Sequence, residues 1–336
     1  MPGTTKQAIL DYIEKNGSAT GPELAELLGI TRQAVSSHVR GLLADSKIVK
    51  TGSTRAARYF PFESAGPART LKRDLTIRGL DESAVYEQIA VGLTLSQLPD
   101  SVESIVHYAF TEVLNNAIDH SMSERCTVEV RLDAAKLRFA IRDTGIGVFC
   151  SIAEKLDLQN EHDAMIELVK GKTTTQPDAH SGEGIFFVSK AADRFSLRSQ
   201  RLQIEWDNRR ADVFVSEPRF LKGTLASFEI ARNARTRLEN VFAEFAPAAY
   251  DYRFQRTRVL VRLLRQDYVS RSEAKRLLHN LDKFSEIELD MRDVRSLGQG
   301  FADEVFRVFA DAHPDIVIRF VNAGSAVTAM IRHVNG

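Results

Sequence analysis

"SIVHYAFTEVLNNAIDHS" (residues 104–121) reads as a helix with two unlike faces. Val113, Leu114, Ala117 and Ile118 fall on one side. Glu112, Asn115, Asn116 and Asp119 fall on the other, spaced i, i+3, i+4 and i+7. An ordinary amphipathic helix with a solvated polar face has the same outline. The two adjacent asparagines argue against it. Each costs a helix roughly half a kcal/mol relative to Ala, and Lys or Gln would serve a wet surface better. Asparagine oxygens are good hard ligands for a magnesium ion.

Two downstream stretches carry related chemistry. "KLRFAIRDTGIGV" (136–148) reads as a strand with Leu137, Phe139 and Ile141 turned inward, ending at Asp143. A carboxylate at a strand end can accept a hydrogen bond from an exocyclic amino group. Gly145 and Gly147 then allow a ligand to come against the backbone. A plain turn after a strand has the same form. "KTTTQPDAHSGEGIFF" (172–187) places Gly182 and Gly184 just before a helix, whose free N–H groups bind phosphate well. Thr173, Thr174, Thr175 and Ser181 add hydroxyls, and Lys172 adds charge. Taken alone, this stretch also fits a surface loop.

In this order and spacing, E-x-x-N-N-x-x-D, D-x-G-x-G and S-G-x-G-I resemble the nucleotide-binding domain of the GHKL ATPases, the superfamily of gyrase and the histidine kinases. The resemblance covers residues 69–231, and the 172–187 stretch is similar to the ATP lid of the anti-sigma-factor serine kinases. It implies the α/β sandwich known as the Bergerat fold, with ATP and Mg²⁺ as cofactors. Asn116 would coordinate magnesium and Asp119 would support its shell through water. Asp143 would bind the adenine amino group, with Thr224, in "KGTLASFEI", near the base. Asn115, Lys172 and the hydroxyls of Thr173, Thr174, Thr175 and Ser181 would complete the nucleotide site. Glu112 would be the catalytic base, acting on water or on a substrate hydroxyl. Where the serine kinases carry Arg before S-G-x-G this chain has His180, so the guanidinium that grips phosphate there is missing or comes from elsewhere.

Upstream, residues 1–62 hold eight Lys/Arg against five Asp/Glu, a slight excess in a chain of 336 residues with zero net charge. "TKQAILDYIEKNG" (5–17), "TGPELAELLGI" (20–30) and "TRQAVSSHVRGLLADSKIV" (31–49) predict three helices. Their apolar faces carry Ile9, Leu10 and Ile13, then Leu24, Leu27 and Leu28, then Val35, Val39, Leu42 and Leu43. "KIVKTGSTRAARYFPF" (47–62) alternates like a hairpin, with Gly52 and Ser53 near its tip. Together they resemble the winged helix-turn-helix of small bacterial transcription regulators. Arg32, Gln33, Ser36, Ser37 and Arg40 would face the major groove, where Arg and Gln read guanine and adenine edges. Lys50, Arg55 and Arg58 would meet phosphates. A winged helix used only for protein contact or dimerisation has the same pattern.

Residues 63–68 read as a linker and 232–254, with "TRLENVFAEF", as a linking helix. In 255–336, the strand-like "RVLVRLL", "EIELDM" and "DIVIRFVN" alternate with helical stretches, which implies a small, mostly parallel sheet. The pattern resembles the STAS domain of anti-anti-sigma factors. Where those carry a phosphoacceptor serine in D-S-S-G, this chain reads "SLGQGF" (296–301). Gln299 stands near the acceptor position and Ser296 on the other side of the turn.

The expected whole is a multidomain α+β protein: winged helix-turn-helix, GHKL domain and STAS-like domain. No apolar run reaches the roughly eighteen residues of a membrane span. The N-terminus has no signal-peptide pattern, and only Cys126 and Cys150 are present, so the expected setting is cytoplasmic and reducing. The expected partners are double-stranded DNA, a protein through the STAS-like domain and a second copy of the chain. The first functional reading is an ATP-responsive DNA-binding regulator, and the alternative is a serine/threonine protein kinase or ATPase. A third is a scaffold with a structural nucleotide site.

Overall fold

Helix caps and glycine stops write the N-terminal fold directly. The computed structural model describes residues 5–45, 47–51, 57–61, 68–172, 182–263 and 267–335. Its first elements are α1 (Thr5–Asn16), β1 (Ala19–Thr20), α2 (Gly21–Leu28), α3 (Arg32–Ala44), β2 (Ile48–Thr51) and β3 (Arg58–Pro61). Thr20 and Glu23 form a capping box at the start of α2, and Gly29 ends that helix in the left-handed region at φ 64°. Thr31 caps α3 through the Ala34 N–H. Ile9, Ile13, Leu24, Val35, Val39, Leu42 and Ile48 form a separate small core. Leu27, expected inside, is 47% exposed; in so short a helix Leu24 and Leu28 take the inner side. The three strands pair antiparallel in the order β1-β3-β2. Gly52, Ser53 and Arg55 lie outside the described residues, as does 63–67 of the expected linker.

The central lobe is a seven-stranded antiparallel sheet in the order β4-β5-β6-β10-β7-β8-β9. Its strands are β4 (Arg69–Thr76), β5 (Arg125–Leu132), β6 (Lys136–Asp143), β7 (Arg194–Gln200), β8 (Leu202–Asp207), β9 (Asp212–Ser216) and β10 (Leu221–Ala231). Its helices are α4 (Glu82–Leu93), α5 (Asp100–His120), α6 (Val148–Lys155), α7 (Glu161–Lys170) and α8 (Gly184–Ala191). Residues 69–76 form an edge strand whose exposed positions include Lys72, Arg73 and Asp74, which discourages pairing with another chain. The buried row Val102, Val106, Ala109, Val113 and Ala117 seats α5 on the sheet, where Phe110 packs edge-on to Phe139 at 5.5 Å.

The C-terminal lobe follows the short helix α9 (Leu238–Phe245). It contains β11 (Arg256–Leu260), β12 (Asp267–Tyr268), α10 (Arg271–Leu278), β13 (Glu286–Asp290) and β14 (Ser296–Leu297). Then α11 (Gln299–Asp303) runs through a π-helical stretch (Glu304–Phe309) into α12 (Ala310–Ala312), followed by β15 (Val317–Val321) and α13 (Ser325–Asn335). Strands β11, β13 and β15 make a parallel sheet in that order, and β12 and β14 form a second parallel pair.

The central and C-terminal lobes share one continuous apolar core. Phe254 sits at the joint, 4.5 Å from Phe186, 5.1 Å from Phe187 and 5.2 Å from Phe284 between ring centroids. Beside it the end of α7 enters the C-terminal lobe. The Lys170 ammonium, 1% exposed, donates to Glu167 Oε1 at 2.6 Å and to the α10-end carbonyls of Arg276 and His279 at 3.2 and 2.9 Å. Thr257 Oγ1 donates to Lys170 O at 2.6 Å. The head touches the central lobe where Asn233 Nδ2 donates to Ser18 Oγ at 2.7 Å.

Candidate functional site

A cavity of about 340 Å³ opens between α5, α6, α8 and the ends of β6 and β10. The polar face of α5 lines it with Glu112, Asn115, Asn116 and Asp119. Because α5 buries its opposite face on the sheet, these four side chains are forced toward the cavity. Asn116 Nδ2 donates to Glu112 O at 2.6 Å, leaving the amide oxygen as its other polar end.

Asp143 closes one wall and is buried. Burial raises its carboxyl pKa, opposed by hydrogen bonds from the Gly145 and Thr224 backbones. Gly145 N and Thr224 N both donate to Oδ1, at 2.9 and 3.2 Å. Thr224 Oγ1 accepts from Val148 N at 3.0 Å, which ties β10 to the start of α6. Gly145 is required here by close approach: a Cβ would lie 1.7 Å from Ser121 O at the end of α5. Gly147 follows as the residue that leads into α6.

At the other end, Gly182 and Gly184 line the cavity. Gly184 is the first residue of α8, and a Cβ there would stand 1.9 Å from Glu112 Oε2. The Glu112 carboxylate therefore lies against the N-terminus of α8. Burial, then Glu112, then Glu183 raise the Tyr108 phenol far above its ordinary pKa, so the two carboxylates share this end. Thr173, Thr174, Thr175, His180 and Ser181 lie outside the described residues.

Lys172 stands elsewhere than its sequence context suggested. Its ammonium donates to Lys283 O at 2.6 Å and sits 4.6 Å from the Phe284 ring centroid. It is not among the residues lining the cavity. Burial lowers its pKa, with Glu183 opposing.

Among the lining residues that sequence reasoning missed, Ser151, Glu183, Tyr108 and Phe242 stand out. Ser151, buried on α6, has a hydroxyl without a hydrogen-bond partner among the described residues. Glu183 and Tyr108 join Glu112. Phe242 comes from the linking helix α9 and packs on Tyr108 and Phe187, at 5.6 and 4.4 Å between centroids. Ser151 sits one residue past an apolar turn, and nothing in its spacing marks it.

In the head, Arg32, Gln33, Ser36, Ser37, Arg40 and Lys50 are exposed. Arg58 is half-buried and donates to Ser18 Oγ at 3.2 Å. Arg55 lies outside the described residues. In the C-terminal lobe, Gln299 is the first residue of α11 and exposed, while exposed Ser296 lies on β14, before the turn at Gly298.

Comparison with known families agrees with this division. Residues 4–49 match the model for winged helix-turn-helix DNA-binding domains. Residues 83–205 match the histidine kinase-like ATPase domain, and residues 273–328 match a STAS-like domain of unknown function. The chain is thus a multidomain α+β protein that joins a winged helix-turn-helix, a histidine kinase-like ATPase domain and a STAS-like domain. No curated protein matches it. Among the described residues, no helix is long and apolar enough to cross a membrane.

Proposed function

We propose that the chain is an ATP-responsive, DNA-binding transcriptional regulator, in which nucleotide in the central cavity alters the relation of the winged helix and STAS-like lobes. One observation carries the reading. The cavity wall includes Phe242 of the linking helix, and Lys170 and Lys172, at the start of the lid stretch, are hydrogen-bonded to the C-terminal lobe. A ligand held in this cavity therefore acts on a joint between lobes.

The side chains present fit ATP with magnesium. Asp143 offers a buried carboxylate for the adenine amino group, Thr224 braces it, and the orphaned Ser151 hydroxyl has room for a ligand contact. Asn116, with its oxygen turned from the backbone, would hold Mg²⁺, and Asp119 would support its waters. Gly182 and Gly184 would present backbone N–H groups to phosphate. Among the described residues no cluster of three His, Cys, Asp or Glu could hold a metal by itself, as suits an ion completed by phosphate oxygens and water. The bound metal-nucleotide supplies a charged, transferable phosphoryl group; the chain orients it and offers Glu112 as a proton acceptor.

Asp143→Asn should weaken ATP binding by about 1–3 kcal/mol, the cost of a mispaired buried polar contact. Calorimetry on the purified variant measures this, and an unchanged affinity removes Asp143 from the site. The raised pKa of Asp143 also sets a pH dependence. The protonated carboxyl is favoured in the fold, so its contribution to apo stability is full below the unfolded-state pKa and lost as pH rises through the raised one. ATP needs the ionised form. Its affinity should therefore begin to fall, on acidification, at a higher pH than an ordinary Asp would dictate.

Glu112 favours a second reading, a serine/threonine protein kinase or ATPase, because a nucleotide site with a structural role alone has no need of a base at the α8 N-terminus. Self-phosphorylation of the C-terminal turn is not expected under either reading. Gln299 has no hydroxyl, and Ser296 stands on the strand before the turn. After incubation with ATP·Mg²⁺, mass spectrometry should find no phosphate on residues 290–305; stoichiometric phosphoserine at Ser296 would promote the kinase reading. The regulator reading is tested by duplex selection from a random pool with no nucleotide, ADP or ATP·Mg²⁺. It expects an enriched sequence whose affinity changes with nucleotide, and no enrichment in any condition sinks it.

A further inference from the structure

The slight basic excess of the head leaves it short of charge for a DNA-binding module. One of its basic residues, Arg58, is also engaged with Ser18. The same Ser18 hydroxyl meets Asn233, which lies in the loop after β10 reading Arg232-Asn233-Ala234-Arg235-Thr236-Arg237. Three arginines thus sit in the segment whose Asn233 shares the Ser18 hydroxyl with Arg58 of the wing strand β3.

Several surface arginines are held by carboxylates. Arg194 pairs with Glu205 and Asp207, Arg209 with Asp193, and Arg256 with Glu286. Arg232, Arg235 and Arg237 have no ion pair among the described residues, and Arg235 and Arg237 are exposed. The nearby carboxylates are already engaged. Asp133 is bonded to Arg138 and to the Ala135 and Lys136 N–H groups. Glu23 is held by Thr20 in its capping box, with Arg58 and Arg235 further lowering its pKa. Burial, then the nearby Arg69, lower the Arg232 pKa, with Asp133 opposing. A loop that gathers three arginines, none in an ion pair among the described residues, offers its charge to an anion supplied from outside.

We infer that loop 232–237 is a second phosphate-gripping surface for duplex DNA, with Arg232, Arg235 and Arg237 extending the footprint of the winged helix along the backbone. It rests on the DNA-binding reading proposed above. Arginines on phosphate position the protein and add affinity without sequence preference. The head would read bases, and the ATPase lobe would supply the charge the head lacks. Because the loop continues directly from β10, which carries Thr224 of the cavity, and leads into α9, which carries Phe242, its placement is set by the elements around the nucleotide.

The test uses the full chain and random-sequence duplexes over a salt series. The Arg235→Ala/Arg237→Ala double variant should weaken binding to all duplexes alike and lower the salt slope by about two, about one per lost phosphate contact. Arg235→Lys/Arg237→Lys should keep the wild-type slope, and both variants should unfold at the wild-type temperature, since both side chains are exposed. A wild-type protein that binds DNA while the alanine variant keeps its slope overturns this loop and leaves the regulator reading standing. A wild-type protein that binds no duplex under any nucleotide condition overturns both. Slope loss seen only with single-stranded RNA overturns the assignment to duplex DNA.

Discussion

Lys170→Met should destabilise the joined central and C-terminal lobes by about 3–5 kcal/mol, the usual cost of stripping one partner from a buried ion pair. The side chains of Lys170 and Glu167 are 1% and 6% exposed, so solvent cannot take over the lost contact. Burial pushes the Lys170 ammonium pKa down, and Glu167 opposes that shift. Removing the ammonium also strips a donor from the Arg276 and His279 carbonyls at the end of α10. His279 and Asn280 still contact Glu167, at 3.1 and 2.9 Å, which keeps the loss below that of a wholly orphaned charge. Urea unfolding of the full chain measures the effect. The double variant Lys170→Met/Glu167→Gln should recover much of the loss. A single-variant cost below about 1 kcal/mol would mean that the pair is solvated and the joint is held by its aromatic rings alone.

The second large effect concerns turnover. Glu112→Ala should leave ATP binding intact and reduce any hydrolysis or transfer by about 10²–10⁴, the typical contribution of a general base. Gly184→Ala should reproduce part of this loss while keeping the carboxylate. Its added methyl would land 1.9 Å from Glu112 Oε2 and push that oxygen aside. The obstacle is the far end of a flexible side chain, so the helix can survive the change. Steady-state phosphate release on the wild type and both variants decides the matter. Equal turnover in Glu112→Ala removes the residue from the chemistry. A wild type that binds ATP without turning it over leaves the cavity as a sensor.

Much of the fold was legible because its signals are local. The α5 face, the strand ending at Asp143 and the parallel strands of the C-terminal lobe each show in a single period of sequence. Strand β4 was not legible: at a sheet edge its exposed positions carry charge, so the apolar alternation that marks a strand is broken. Lys172 shows the limit more sharply. Beside three threonines it has the composition of a phosphate loop, yet the carbonyl of Lys283 and the Phe284 ring, more than a hundred residues later, set where its ammonium points. Ser151 and Phe242 reach the cavity only through packing between elements far apart in sequence, and no spacing rule encodes that.

The shared joint at Phe254 bears on how such a chain can be assembled over evolutionary time. The head has its own closed core and meets the central lobe through the Asn233–Ser18 hydrogen bond, so a different head could be spliced on without opening another interior. The C-terminal lobe has no such freedom. A crossover within 232–254 would deliver a partner lacking the carbonyls that hold Lys170 and the rings that cover Gly171, leaving a buried cation and a raw apolar face. The ATPase and STAS-like lobes are therefore expected to travel between genomes as one cassette, while heads are exchanged.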